Sequence, residues 1–137
     1  MKKINLLLLI TVTMLSISSC KKKEEDEGKL PNISFKTGTG YTSADATVTK
    51  GSTVTIGINS SKSEENDVLI TFDESVSYDG TAATSILNKS LTGSDGDSYS
   101  IDLPTTTRNQ AGTEKYTFTV INRDGLKNSV SLTLTTN

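Results

Sequence analysis

Apolar and polar residues alternate across residues 114–134, EKYTFTVINRDGLKNSVSLTL, in the pattern of a half-buried β-hairpin. Tyr116, Phe118 and Val120 share one face of the first run. Val130, Leu132 and Leu134 share one face of the second, and Thr117, Thr119, Ser131 and Thr133 fill the alternate positions. The turn follows from these faces. A two-residue Asp124-Gly125 loop would pair residues whose numbers sum to an odd number, setting Phe118 against a Ser or Thr. A three-residue loop, Arg123-Asp124-Gly125, makes the sum even. It predicts Phe118 opposite Val130 and Tyr116 opposite Leu132, with Asn122 opening a type I turn and Gly125 in the φ > 0 position of a bulge.

The same period recurs upstream. Ile33 and Phe35 mark a strand over residues 32–36, and Ala44, Ala46 and Val48 alternate with Asp45 and Thr47. After a Lys50-Gly51 turn, Val54, Ile56 and Ile58 point inward over 53–58. Residues 68–72 are densely apolar, as in a central strand, with Val68, Ile70 and Phe72 assigned to one face. Tyr78-Asp79-Gly80-Thr81 reads as a turn, and 85–91 as a weaker strand. Tyr99, Ile101 and Leu103 mark another, stopped by Pro104. Residues 37–43, 59–67 and 93–98 read as polar loops, and 105–113 as a loop with room for one helical turn. No run has helical periodicity and no internal repeat is visible. Seven or eight short strands at this spacing predict an all-β chain folded as an antiparallel β-sandwich.

Composition sharpens this in one respect. The 137 residues include no His, no Trp and one Cys, and Ser and Thr are abundant, as strands and turns prefer. The length allows one domain of ordinary size. With 14 basic and 16 acidic side chains the charge is mild, and nothing in it suggests nucleic acid.

Residues 1–19 stand apart from the fold. Lys2 and Lys3 precede a mostly apolar run over 4–15, broken by Asn5, Thr11 and Thr13 and short for a membrane span. This is the layout of a secretory signal peptide. Its ending, Ile17-Ser18-Ser19-Cys20, resembles the lipobox of bacterial lipoproteins: an apolar residue, then two small ones, then Cys. The resemblance implies cleavage after Ser19, lipidation of Cys20 and a stable membrane anchor. The plainer alternative is a stray or buried thiol. With no second Cys the chain has no internal disulfide, so its core must hold it together.

Residues 20–31 carry the charged run Lys21-Lys22-Lys23-Glu24-Glu25-Asp26-Glu27, which has nothing to bury and predicts a flexible tether ahead of a domain over 32–137. Within it, Lys23-Glu24-Glu25 resembles the surface-export signal of Bacteroidota lipoproteins. That resemblance implies an outer-membrane lipoprotein exposed on the cell surface. A simple tether would leave the domain facing the periplasm.

The domain itself resembles the immunoglobulin-like fold. Residues 51–58, GSTVTIGI, are similar to the Gly-x-x-Val-x-Leu-x-Cys entry to strand B, with Ile58 in place of the Cys. Ile70 falls where strand C carries its core Trp. Ala111-Gly112 followed by Tyr116-Thr117-Phe118 resembles the approach to strand F, with Phe118 at the second Cys. The loss of both Cys and Trp excludes an antibody-type domain, and the nearer likeness is to Cys-free immunoglobulin-like domains of Bacteroidota lipoproteins. The resemblance implies that Ile58, Ile70 and Phe118 lie together in the core. Gly112 and Tyr116 stand two residues further apart than in the family pattern, so Tyr116 reads as a core residue, and burial then requires a partner for its hydroxyl.

Little chemistry is legible. Without His there is no Ser-His or Cys-His nucleophile, Cys20 is committed to lipid rather than zinc, and no Gly-rich phosphate loop opens a helix. The expectation is that the chain is not an enzyme and takes no cofactor. Asp95-Gly96-Asp97 is a fragment of a calcium loop; its incomplete ligand spacing leaves a plain turn as the simpler reading and no metal as the expectation. The function expected is a non-catalytic binding or adhesion module, the alternative being a structural spacer or assembly subunit docking another envelope protein. The expected partners are the membrane, through lipid on Cys20, and an unknown extracellular or envelope protein or glycan, without nucleic acid. Alternating strand directions would gather loops 59–67, 93–98 and 122–126 at the end where the chain enters. A partner would then meet the opposite end, with Tyr78 as the contact there; as loop aromatics that a binding module would expose, Tyr41 and Tyr78 are the candidates.

Overall fold

The computed structural model describes residues 28–137. They form eight strands and one short helix: β1 (Asn32–Phe35), β2 (Ala46–Val48), β3 (Thr53–Ser61), β4 (Leu69–Tyr78), β5 (Thr84–Ser90), α1 (Ser94–Asp97), β6 (Ser98–Thr106), β7 (Gly112–Asn122) and β8 (Lys127–Thr136). Two sheets result, one ordered β1-β3-β6 and the other β2-β8-β7-β4-β5. All pairings are antiparallel except β2 with β8, which run parallel. The antiparallel expectation is corrected at that edge, where β2 crosses to the second sheet instead of pairing with its sequence neighbours.

The hairpin β7–β8 has the register the alternation requires, with Phe118 opposite Val130 and Tyr116 opposite Leu132. Gly125 has φ 82°, its N–H donates to the Asn122 carbonyl at 3.0 Å, and the Leu126 N–H donates to Asn122 Oδ1 at 2.8 Å. The two sheets meet on aromatic rings. Phe35 of β1 lies edge-on to Phe118 of β7 (centroids 6.0 Å), and Phe72 of β4 contacts both Tyr99 of β6 (5.3 Å) and Phe118 (6.5 Å). Ile56, Ile58, Leu69, Phe72, Phe118, Val120 and Leu134 are fully buried around them. Ring pairs at these distances add to the burial of apolar area that holds the core without a disulfide.

Three expectations are corrected here. Ile70 is not in the core: it is 39% exposed, while Leu69 and Phe72 are buried. The β4–β7 register shifts between Leu69 and Thr71, so Ile70 is the extra residue of a β-bulge and turns outward. Phe72, not Ile70, joins Ile58 and Phe118. Pro104 does not stop its strand, since β6 runs on to Thr106 with Pro104 opposite Thr55. As β6 is an edge strand, the missing N–H of Pro104 faces away from the ladder and costs no hydrogen bond. The helical turn lies at Ser94–Asp97, in the Gly- and Asp-rich stretch, rather than within 105–113.

The molecule has two distinct ends. At one, Lys62 N–H bonds the Asp97 carbonyl, Arg123 N–H bonds the Val68 carbonyl, and Lys29 N–H reaches Glu64, so three loops and the entering chain converge. At the other, Gly51 N–H bonds the Arg108 carbonyl and Asp79 N–H bonds the Thr113 carbonyl. This is the gathering that alternating strand directions imply.

Candidate functional site

Two glutamates point into the space between the sheets, from neighbouring strands of the five-stranded sheet. Glu114 on β7 is in phase with Tyr116 and Phe118, and Glu74 on β4 with Phe72 and Val76. Glu114 is completely buried and Glu74 is 6% exposed. A carboxylate in such a place is costly unless paired and hydrogen-bonded.

Glu114 is fully partnered. One of its oxygens accepts from the Arg108 N–H at 2.8 Å and from Arg108 Nε at 3.1 Å, and the other accepts from the Tyr116 hydroxyl at 2.7 Å. The buried Tyr116 hydroxyl thereby has its partner, and burial together with Glu114 pushes its ionisation well above that of an ordinary tyrosine. Arg108 also donates to Asp79 at 3.0 Å and lies over the Tyr78 ring at 4.2 Å, a cation–π contact. Asp79 takes the Thr113 N–H at 2.7 Å, which with the Arg108 guanidinium holds its carboxyl below the usual range. Asp79 sits at φ 51° in the turn after β4, followed by Gly80 at φ 77°, the pair of positive angles that a tight hairpin turn needs.

Glu74 has none of this. Among the described residues its side chain takes part in no ion pair or hydrogen bond, and burial followed by the like charge of Asp73 raises its pKa. It lines a cleft of about 200 Å³ between the edges of the two sheets, together with Tyr78, Ile86, Leu103, Pro104, Thr105, Thr106 and Tyr116. Ile86 is 54% exposed at a second bulge, where the β4–β5 register shifts between Glu74 and Ser75.

A second concavity, of about 350 Å³, lies at the end where the chain enters, lined by Gly28, Glu64, Glu65, Asn66, Asp67 and Asp124. Burial raises the Asp67 carboxyl, and hydrogen bonds with Glu64 and Asp124 raise it further, while Glu64 is lowered by Asp67 and by the Lys29 N–H. Arg123 approaches Asp67 at 3.7 Å and Lys29 approaches Glu64 at 3.6 Å. Among the described residues no group of three or more His, Cys, Asp or Glu is arranged to hold a metal ion.

The residues singled out from sequence fall in different places. Cys20, Lys23, Glu24 and Glu25 lie outside the described residues. Asp95 pairs with Lys89 at 3.1 Å and Asp97 with Lys62 at 2.7 Å. Tyr41 is half-buried, with its hydroxyl donating to Asp102 at 3.2 Å and its ring packed over Gly57, where an added Cβ would lie 2.7 Å away. Tyr78 is half-buried as the last residue of β4, under Arg108. The two tyrosines form no shared aromatic surface, and Tyr78 instead forms part of the cleft wall. Glu74, Glu114 and Arg108 were not singled out from sequence. The available signal was phase: Glu74 repeats Phe72 and precedes Val76 by two, and Glu114 precedes Tyr116 by two.

No protein-family model and no curated protein matches the chain. Among solved structures, it is similar to the Pseudomonas fluorescens alkylpurine DNA glycosylase AlkC bound to DNA containing an abasic site analog. The identity is 12%, the TM-score is 0.48, and the match covers 79% of this chain and 31% of that one. The chain therefore spans about a third of the length of that protein. The expectations that the chain is not an enzyme and has no nucleic-acid partner are corrected by this finding, because the protein matched is a DNA-bound enzyme. At this identity and TM-score the likeness assigns neither activity nor ligand to the chain.

Proposed function

We propose that the chain is a binding or adhesion module of immunoglobulin-like architecture, held on the outer face of a bacterial outer membrane by lipid on Cys20. The observation that carries this reading is the sequence Ile17-Ser18-Ser19-Cys20 at the end of a basic-then-apolar leader, followed by a charged run and then a strand-rich domain. Lys23-Glu24-Glu25 supports export to the surface. The strand order supports the immunoglobulin-like reading: β1, β3 and β6 stand where strands A, B and E would, and β8, β7 and β4 where G, F and C would.

Expression of the wild type and Cys20→Ala with labelled fatty acid tests the anchor. The wild type is expected to carry label and fractionate with membrane, and the variant to lose both. An unlabelled wild type, or a variant retained in the membrane, contradicts the reading. One observation favours a second reading, a spacer or assembly subunit docking another envelope protein: β5 is an open edge with exposed Ser85 and Ile86 and a single charge, Lys89.

A further inference from the structure

Glu74 is a buried carboxyl group whose charge no described residue nearby matches. It is 94% buried by side-chain and backbone together, it has no partner among the described residues, and it lines an opening. A Leu or Gln there would avoid the cost of desolvating a charge. The groups around it do not supply the missing cation. On its own strand Asp73 is engaged by Ser85 and Asn88 on the other face. On β5, Leu87 is opposite, and Lys89 turns away to Asp95 and the Tyr99 ring. On β7, Phe118 is opposite, and the Tyr116 hydroxyl is committed to Glu114. Arg108 is committed to Glu114 and Asp79 across the Tyr78 ring. From β6, Leu103, Pro104, Thr105 and Thr106 face the cleft and carry no charge.

From this geometry we infer that the cleft between the β5 and β6 edges is a binding site for an alkylammonium group, with Glu74 as its counter-ion. The apolar walls, Ile86, Leu103 and Pro104, suit an alkyl stem, and the Glu74 carboxylate among them suits a cation. An ammonium has three donors on a rotatable head and is satisfied by one carboxylate and a neighbouring hydroxyl. A guanidinium would bring five donors in a fixed plane to a site with a single carboxylate, leaving most unpaired. The shared chemistry is that of a free primary amine or a lysine side chain. This inference is independent of the membrane anchor and of the adhesion reading, and its failure would leave both standing.

The test is NMR titration of the full-length chain with n-butylammonium, watching the methyls of Ile86 and Thr105 and the ring of Tyr116. Equal concentrations of n-butanol and butyrate serve as controls. Saturable shifts confined to these residues are expected with the ammonium alone. Glu74→Gln should keep the fold and weaken binding at least about tenfold, the size of a hydrogen bond to a charged group. An acetylated and amidated Gly-Lys-Gly peptide separates the two sources: tighter binding than butylammonium marks a lysine side chain as the natural occupant, and weaker binding marks a free amine. Shifts of equal size with butanol, no saturable shift with the ammonium, or unchanged binding in folded Glu74→Gln would each overturn the inference.

Discussion

Glu114 and Glu74 occupy equivalent surroundings in one respect and opposite surroundings in another. Both lie on the inner face of the same sheet, on adjacent strands, among core residues. Glu114 is closed in by Arg108 and Tyr116, so its charge is matched, and the network ties β7 to the turn after β4 through Asp79. Glu74 has the burial without the partners, beside an opening. The difference teaches that an inward-facing charge is not by itself a sign of function. A satisfied one fixes an arrangement of strands, and an unsatisfied one at an opening is available to a ligand.

Substitutions should separate these roles by sign as well as size. Glu114→Ala carries the largest expected effect. It leaves Arg108 with only Asp79 and opens space beside Tyr116, and removing one member of a buried pair costs about 3 kcal/mol or more. Chemical denaturation measures it, and a loss below about 1 kcal/mol would show that the network is not structural. Tyr116→Phe removes one hydrogen bond to a charged group and should cost about 1.5–3 kcal/mol by the same assay. Glu74→Gln should have the smallest effect, and one of opposite sign, stabilising the protein at neutral pH.

The sign for Glu74 follows from its pKa, which burial raises above the ordinary value of 4.5. In the folded state the carboxyl therefore holds its proton at pH values where the unfolded chain has lost it. Stability falls as pH rises from 4.5 through the folded value, and the full penalty is present above that. The difference in stability between Glu74→Gln and the wild type should accordingly grow with pH over this window. A difference that is flat, or that shrinks with pH, would mean that a partner already matches Glu74.

Much of the fold could be read from alternation, because a half-buried strand must place apolar residues on one face. The parity of the β7–β8 faces was enough to select the loop and register around Gly125. Parity failed at Val68-Leu69-Ile70-Thr71-Phe72, where both phases are apolar at the start of β4. A bulge then let Leu69 and Phe72 go inward together and sent Ile70 out. Pro104 misled in another way, since its effect depends on whether its N–H side faces a neighbouring strand, which is a matter of topology rather than sequence. The cleft was hidden for a third reason. Glu74 and Glu114 keep the inward phase of their strands, but a charge in that phase ordinarily signals the end of the buried run. Only the folded arrangement, with Arg108 on Glu114 and an opening beside Glu74, shows that one is sealed and the other open.

The most direct test of the account is the titration of the Glu74 carboxyl itself, followed by carbon-detected NMR across the carboxylate range, with and without n-butylammonium. The account predicts a midpoint above 4.5 in the free protein, moving down when the ammonium is added, because a bound cation favours the charged form. A midpoint at or below 4.5 in the free protein, or one that the ammonium leaves in place, would contradict it.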